Sequence, residues 1–240
     1  MLSTSLSVNA GVITHYDIDF ESPPHGLLPS VGSNPNQISA INSGTPKISP
    51  TFGSTISQSL LFDGADFAEG ITLNMGKGFN NYRMEFDVYA LGLVGSDYAF
   101  TLHTDTPNVR NLSLVGGSGI FQYFGSTDGT QNIGGLLNKL AYNVVLDYDL
   151  SAQQVSWAIS GIGTNLTGSN LFTTTGGDID SFSFRLAPAL GGAGADPTVK
   201  VQLDNVRVTS NAVPEPGSLA LILLGMGGLL VKRRLFGSSD

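Results

Sequence analysis

Tyr82-Arg83-Met84-Glu85-Phe86-Asp87-Val88-Tyr89 alternates without a break. Tyr82, Met84, Phe86 and Val88 fall on one side, and Arg83, Glu85, Asp87 and Tyr89 on the other. A period of two with one apolar face marks a strand that lays that face on a core and turns the other to water. Similar runs lie on either side: Val12–Phe20, Gln58–Phe62, Tyr98–Thr104, Arg110–Val115, Ile120–Phe124, Leu140–Tyr148, Val155–Ser160, Ser181–Leu186 and Val199–Val208. Gly, Pro, Asn and Asp clusters separate them. Leu140–Leu150 and Val155–Ile159 form an expected antiparallel hairpin around Asp149–Gln154. No segment before Gly217 carries a helical stripe, so many short strands with turn signals predict an all-β, two-sheet antiparallel sandwich.

The expected domain covers residues 11–209. Gly26–Pro50 reads as a long surface excursion, Ala187–Pro197 as a flexible loop around Gly191-Gly192-Ala193-Gly194-Ala195, and Ser210–Ala212 as a short linker. The 240 residues carry a net charge of −8, and only 12 % are charged. Without Gly217–Asp240, which removes three basic residues and one acid, the charge is −10. Nucleic acid is therefore a poor partner, because phosphate binding needs clustered Lys and Arg. With no cysteine, disulfides, Cys-zinc sites and thiol catalysis are excluded. About 200 residues bury enough apolar surface to fold without staples.

The C-terminal stretch has a different chemistry. Val213-Pro214-Glu215-Pro216 precedes an uncharged run from Gly217 to Val231, and Lys232-Arg233-Arg234 follows. Ser218–Val231 spans roughly 21 Å as a helix, short of a bilayer core of about 30 Å. The basic triplet closes part of that gap by snorkelling. Its charge places it on the cytoplasmic side and the domain on the far side. The predicted element is a single C-terminal apolar helix, a transmembrane segment over 217–231, entered through Pro214 and Pro216, which suit a first turn. Residues 1–10 end in Val8-Asn9-Ala10, small residues of the kind a signal peptidase reads. They are expected to be the remnant of a signal peptide whose translation start lies upstream.

Residues 213–240 resemble the PEP-CTERM sorting signal of Gram-negative bacteria, in the order of Pro-Glu-Pro motif, glycine-rich apolar segment and basic cluster. The resemblance implies recognition by an exosortase, a membrane cysteine transpeptidase that cuts near the motif. The chain would then be its substrate, inserted transiently in the inner membrane and passed to the cell surface or extracellular matrix, in association with exopolysaccharide or biofilm. The β domain resembles, more loosely, the jelly-roll of concanavalin A-like lectins and carbohydrate-binding modules. This rests on Asp19-Phe20-Glu21 in the first strand, the Tyr142–Tyr148 and Val155–Ile159 strands, and Leu203–Val208 in the last strand.

The jelly-roll resemblance implies a structural calcium held by Asp19, Glu21 and Asp204, because sequence-distant carboxylates suit a cation with many oxygen ligands. Trp157, Tyr89, Tyr98 and Tyr123 are the candidate sugar-stacking residues. Glu85 and Asp87 place two carboxylates on one strand face, as glycoside hydrolysis requires. Laminarinase-type jelly-rolls carry Glu-x-Asp-x-x-Glu, and here Ala90 stands at the third acid, which breaks the pattern. His15, His25 and His103 lack metal spacing, and Gly116-Gly117-Ser118-Gly119 reads as a turn. The expected protein is therefore exported, sorted and non-enzymatic, with no catalytic residue and a possible polysaccharide ligand. The alternatives are a jelly-roll glycoside hydrolase or lyase and a purely structural matrix protein.

Overall fold

The computed structural model describes residues 11–21, 31–32, 35, 37–75, 79–104, 109–124, 130–161, 163–171, 179–188 and 194–212. Residues 1–10, His25, the sorting motif, the apolar run and the basic triplet lie outside them. Among the described residues, every regular element is a strand, and no helix is long and apolar enough to cross a membrane.

In chain order the strands are β1 (Val12–Ile18), β2 (Ala40–Ser43), β3 (Lys47–Ser49), β4 (Ser59–Phe62), β5 (Glu69–Asn74), β6 (Phe79–Leu91), β7 (Tyr98–Thr104) and β8 (Val109–Val115). They continue with β9 (Ile120–Phe124), β10 (Thr130–Gly135), β11 (Ala141–Asp149), β12 (Gln154–Gly161), β13 (Thr164–Leu171), β14 (Ser181–Pro188) and β15 (Lys200–Ala212). Sheet A runs β13-β12-β11-β6-β15-β4-β3, with β1 also on β15, and sheet B runs β10-β9-β8-β7-β14-β5-β2. Every strand pairing is antiparallel. First and last strands lie side by side, as the jelly-roll resemblance led one to expect.

The alternation in β6 becomes a division of labour. Tyr82, Met84, Phe86, Val88 and Ala90 are buried and meet the inward residues of sheet B. Phe86 packs edge-on against Phe184 at 5.0 Å, Tyr82 against Phe182 at 6.0 Å, and Tyr142 against Phe121 at 5.0 Å. Such pairs add roughly 0.5–1.5 kcal/mol each beyond area burial. Their hydroxyls find partners: Tyr82 donates to the Ile179 carbonyl, and Tyr142 accepts the Leu137 amide at 2.9 Å.

Several expectations need correction. The Gly26–Pro50 excursion contains β2 and β3, which edge the two sheets. Strands β5, β10 and β13 fall outside the runs that the alternation marks as strands. Part of the Ala187–Pro197 loop belongs to β14, which runs to Pro188. Ser210–Ala212 is the paired end of β15: Ser210 stands opposite Ile13 and Tyr82, Asn211 opposite Val12, and Ala212 opposite Phe79. A bulge sets this strand up. Asn205 takes a positive φ of 50°, which Asn tolerates better than most residues, and the register slips between Asp204 and Arg207. At that point β15 exchanges β4 for β1 as its neighbour.

Candidate functional site

The outer face of sheet A carries an open groove of about 580 Å³. The register across β12, β11, β6, β15 and β1 arranges the outer face in rows, of which Ser156, Asp147, Arg83, Glu85, Arg207 and Thr209 line the groove. One row is Ser156, Asp147, Arg83, Thr209 and Thr14, and the next is Ala158, Val145, Glu85, Arg207 and Asp17. Five strands at ~4.8 Å spacing make each row roughly 19 Å wide. Signs alternate within the rows. Arg83 holds both oxygens of Asp147 at 3.0 and 3.1 Å. Arg207 stands in register between Glu85 and Asp17 without an ion pair to either. Asp149, on the rim, accepts the Ala152 amide at 2.8 Å and so ties down the β11–β12 turn. Thr209 and Asn211 supply further hydroxyl and amide groups along β15.

The stacking candidates are placed elsewhere. Trp157 is 7 % exposed and Tyr123 1 %; their rings stack on each other between the sheets at 5.2 Å. Burial holds the Tyr123 hydroxyl well above the usual phenol range. Tyr98 is also buried, and its hydroxyl donates to the Gly194 carbonyl at 2.8 Å. These three belong to the core, because their strand positions share the inward face. Tyr89 is on the outer face, half-buried against Phe52 at 6.2 Å, and does not line the groove.

Glu21 and Asp204 do come together, through one hydroxyl. Ser57 Oγ lies 2.8 Å from Glu21 Oε1 and 3.3 Å from Asp204 Oδ2. Asp19 does not join them in this network: its Oδ1 accepts the Glu21 amide in a local turn. Among the described residues no group of three or more acids or histidines is placed to hold a metal. The expected calcium set does not fit this geometry; hydrogen bonds to Ser57, Gln58 and Asn205 occupy the two acids instead. Asp204 is buried, and that desolvation, helped by Asp87 and Glu21, pushes its carboxyl up to about 6.

Glu85 and Asp87 share the outer face, as their spacing predicted. Asp87 is held by two amides, Asn143 at 2.9 Å and Asn205 at 2.8 Å. Ala90 is buried on the opposite face. Ala90 pairs with Val201 in an unbroken stretch of the β6–β15 register, so no bulge turns that position outward, and the third acid of a laminarinase pattern has no equivalent there. The groove residues Asp147, Arg207, Thr209 and Asn211 were missed from sequence; the outward alternation of β11 and β15 was the available signal, and the bulge at Asn205 obscured half of it.

No protein-family model matches the sequence, and no curated protein matches it. Among solved structures, the chain is similar to a sialidase at a TM-score of 0.55 and 14 % identity, covering 81 % of this chain and 18 % of that one. It is similar to the apo Crh5 transglycosylase at 0.49 and 13 %, covering 82 % and 91 %. A botulinum neurotoxin serotype C1 binding domain follows at 0.47 and 11 %, covering 76 % and 46 %. The chain thus spans less than a fifth of the sialidase, and at these identities the likeness is one of fold alone.

Proposed function

We propose that this protein is an exported, non-enzymatic β-sandwich that binds an uncharged polysaccharide in the groove of sheet A. In this reading an exosortase acts on the tail at 213–240 and delivers the domain to the surface or matrix of a Gram-negative cell. The observation that carries the binding half is the ordered alternation of Asp147–Arg83 and Glu85–Arg207 across the groove, with Asp17 next in register on β1 beyond its lining. Such a surface offers donors and acceptors side by side to vicinal hydroxyls. A polyanion would meet Glu85 and Asp149 as well as a chain of net charge −8, and like charges cost affinity. Affinity electrophoresis through gels of neutral glucans, mannans and alginate tests this. Retardation by a neutral polymer, lost in Arg207→Ala, supports the reading; retardation by alginate alone, or by none, refutes it.

A glycoside hydrolase is the second reading, and one observation favours it. Glu85 and Asp147 are diagonal neighbours across β6 and β11, which puts their Cβ atoms roughly 7–8 Å apart and gathers two carboxylates on one face, as glycoside hydrolysis requires. Against it, Arg83 engages Asp147 through both oxygens, and Asp87 is satisfied by two amides. Reducing-sugar release from a bound glucan, abolished by Glu85→Gln, would establish hydrolysis. A purely structural matrix role predicts no retardation by any glycan.

A further inference from the structure

The sorting motif begins at Val213, one residue after the last paired residue of β15. Nothing separates it from the sheet. Ser210 is flanked by β1 at Ile13 and by β6 at Tyr82. Asn211 pairs with Val12, and its amide is held by Asn81 Oδ1 at 3.0 Å. Ala212 pairs with Phe79. A second side chain closes the same place: His15 Nε2 lies 2.7 Å from Ser210 Oγ, and its ring sits edge-on to Phe79 at 4.8 Å. Enzymes that cut or transfer peptide chains take them as extended strands, through free backbone groups on both sides of the bond. Ser210 is paired on both edges, Asn211 to β1 with its amide held by Asn81, and Ala212 to β6, so much of the backbone there is already engaged.

We propose that the domain–tail junction is a latched modification site: Ser210–Ala212 must peel from β1 and β6 before a peptidase or transpeptidase can seat the adjoining motif. This rests on the tail being a sorting signal, and it adds a gate that the sorting reading lacks. The chemistry behind the gate is ordinary peptide-bond exchange. The C–N bond breaks, the acyl carbon passes to the enzyme's nucleophile and then to water or an amine, and the tail leaves with the proton on its new amino group. The latch sets the rate by the fraction of time the strand end is open. A cell could then process the chain before β15 closes, or slowly afterwards.

The test uses the full chain behind a complete signal peptide, with an epitope tag after Asp240, followed by pulse–chase in a Gram-negative host that encodes an exosortase. One variant inserts six Gly/Ser residues between Ala212 and Val213, and a second is Asn81→Ala. The spacer removes the need to peel, so tail loss from folded protein speeds up at least about tenfold. Asn81→Ala removes one hydrogen bond of roughly 1 kcal/mol, so tail loss speeds up about fivefold, and the Asn211 amide exchanges with deuterium about fivefold faster in the purified protein. Processing of the spacer variant at the parental rate overturns the latch and leaves the sorting reading standing. Retention of the tail in all three chains, with exchange altered as stated, overturns both. Unchanged Asn211 exchange in Asn81→Ala shows that the side chain is no latch and overturns the proposal on its own.

Discussion

Gly168 lies flat against the indole of Trp157: a Cβ there would sit 2.6 Å from Cζ2. Gly168→Val is therefore expected to lower stability by about 1–3 kcal/mol through overpacking, read as a lower urea midpoint. Trp157→Ala is expected to cost roughly 3–5 kcal/mol while leaving the glycan affinity of the folded fraction unchanged. The sequence could not reveal this. An aromatic at an alternating strand position suits a core or a sugar platform equally, and only the side on which the second sheet packs decides. Two acids set a pH dependence. Burial, reinforced by Asp63, pushes Glu69 up to about 7, and burial pushes Asp204 to about 6. Both folded values exceed the unfolded ones, so their stabilisation is complete below about pH 4 and is lost as pH rises through 6 and 7. Asp63 and Asp196 shift downward and act at more acidic pH. Thermal melts are thus expected to show a higher Tm at pH 5 than at pH 8, with the difference reduced in Glu69→Gln; a flat profile contradicts this. Because Glu21 and Asp204 are joined through Ser57, adding calcium or chelator is expected to leave the Tm unchanged; a rise with calcium would restore the metal reading.

At the scale of the element, β15 departs furthest from expectation. A chain ending at Ala212 is expected to be more stable than one ending at Thr209 by about 2–3 kcal/mol, at roughly 1 kcal/mol per backbone hydrogen bond. A free linker would make the two melt alike. The sequence read β15 as ending at Val208 because Thr209-Ser210-Asn211 looks like loop composition. In the fold Thr209 and Ser210 are paired to β1 and β6 at once and Asn211 to β1, and that pairing outweighs weak strand propensity. The same physics hid β13, whose Thr164–Leu171 is polar on its outward positions, and β10, which contains Gly134 and Gly135. Both are edge strands, held by one neighbour each. Strands β6, β7, β9 and β11 were legible because each buries a full row of large side chains, and a register slip in any of them would expose that row.

For the whole molecule, two sheets enclose one aromatic core, and the outer face of sheet A gathers charges that lie far apart in the chain. Asp17 and Arg207 are neighbours only because the first and last strands pair, so no local motif could announce the groove. The C-terminal stretch is a local pattern by contrast: its Pro-Glu-Pro motif, apolar run and basic end are contiguous in sequence and lie outside the described residues. On this reading the groove, and not the aromatic residues or the outer face of sheet B, receives a neutral glycan. Amide chemical shifts of the labelled domain, followed as neutral glucan oligosaccharides are added, test it most directly. Shifts are expected to be confined to β6, β11, β15 and β1 around Glu85, Asp147, Arg207 and Thr209. Shifts centred on sheet B, or none at millimolar oligosaccharide, would contradict it.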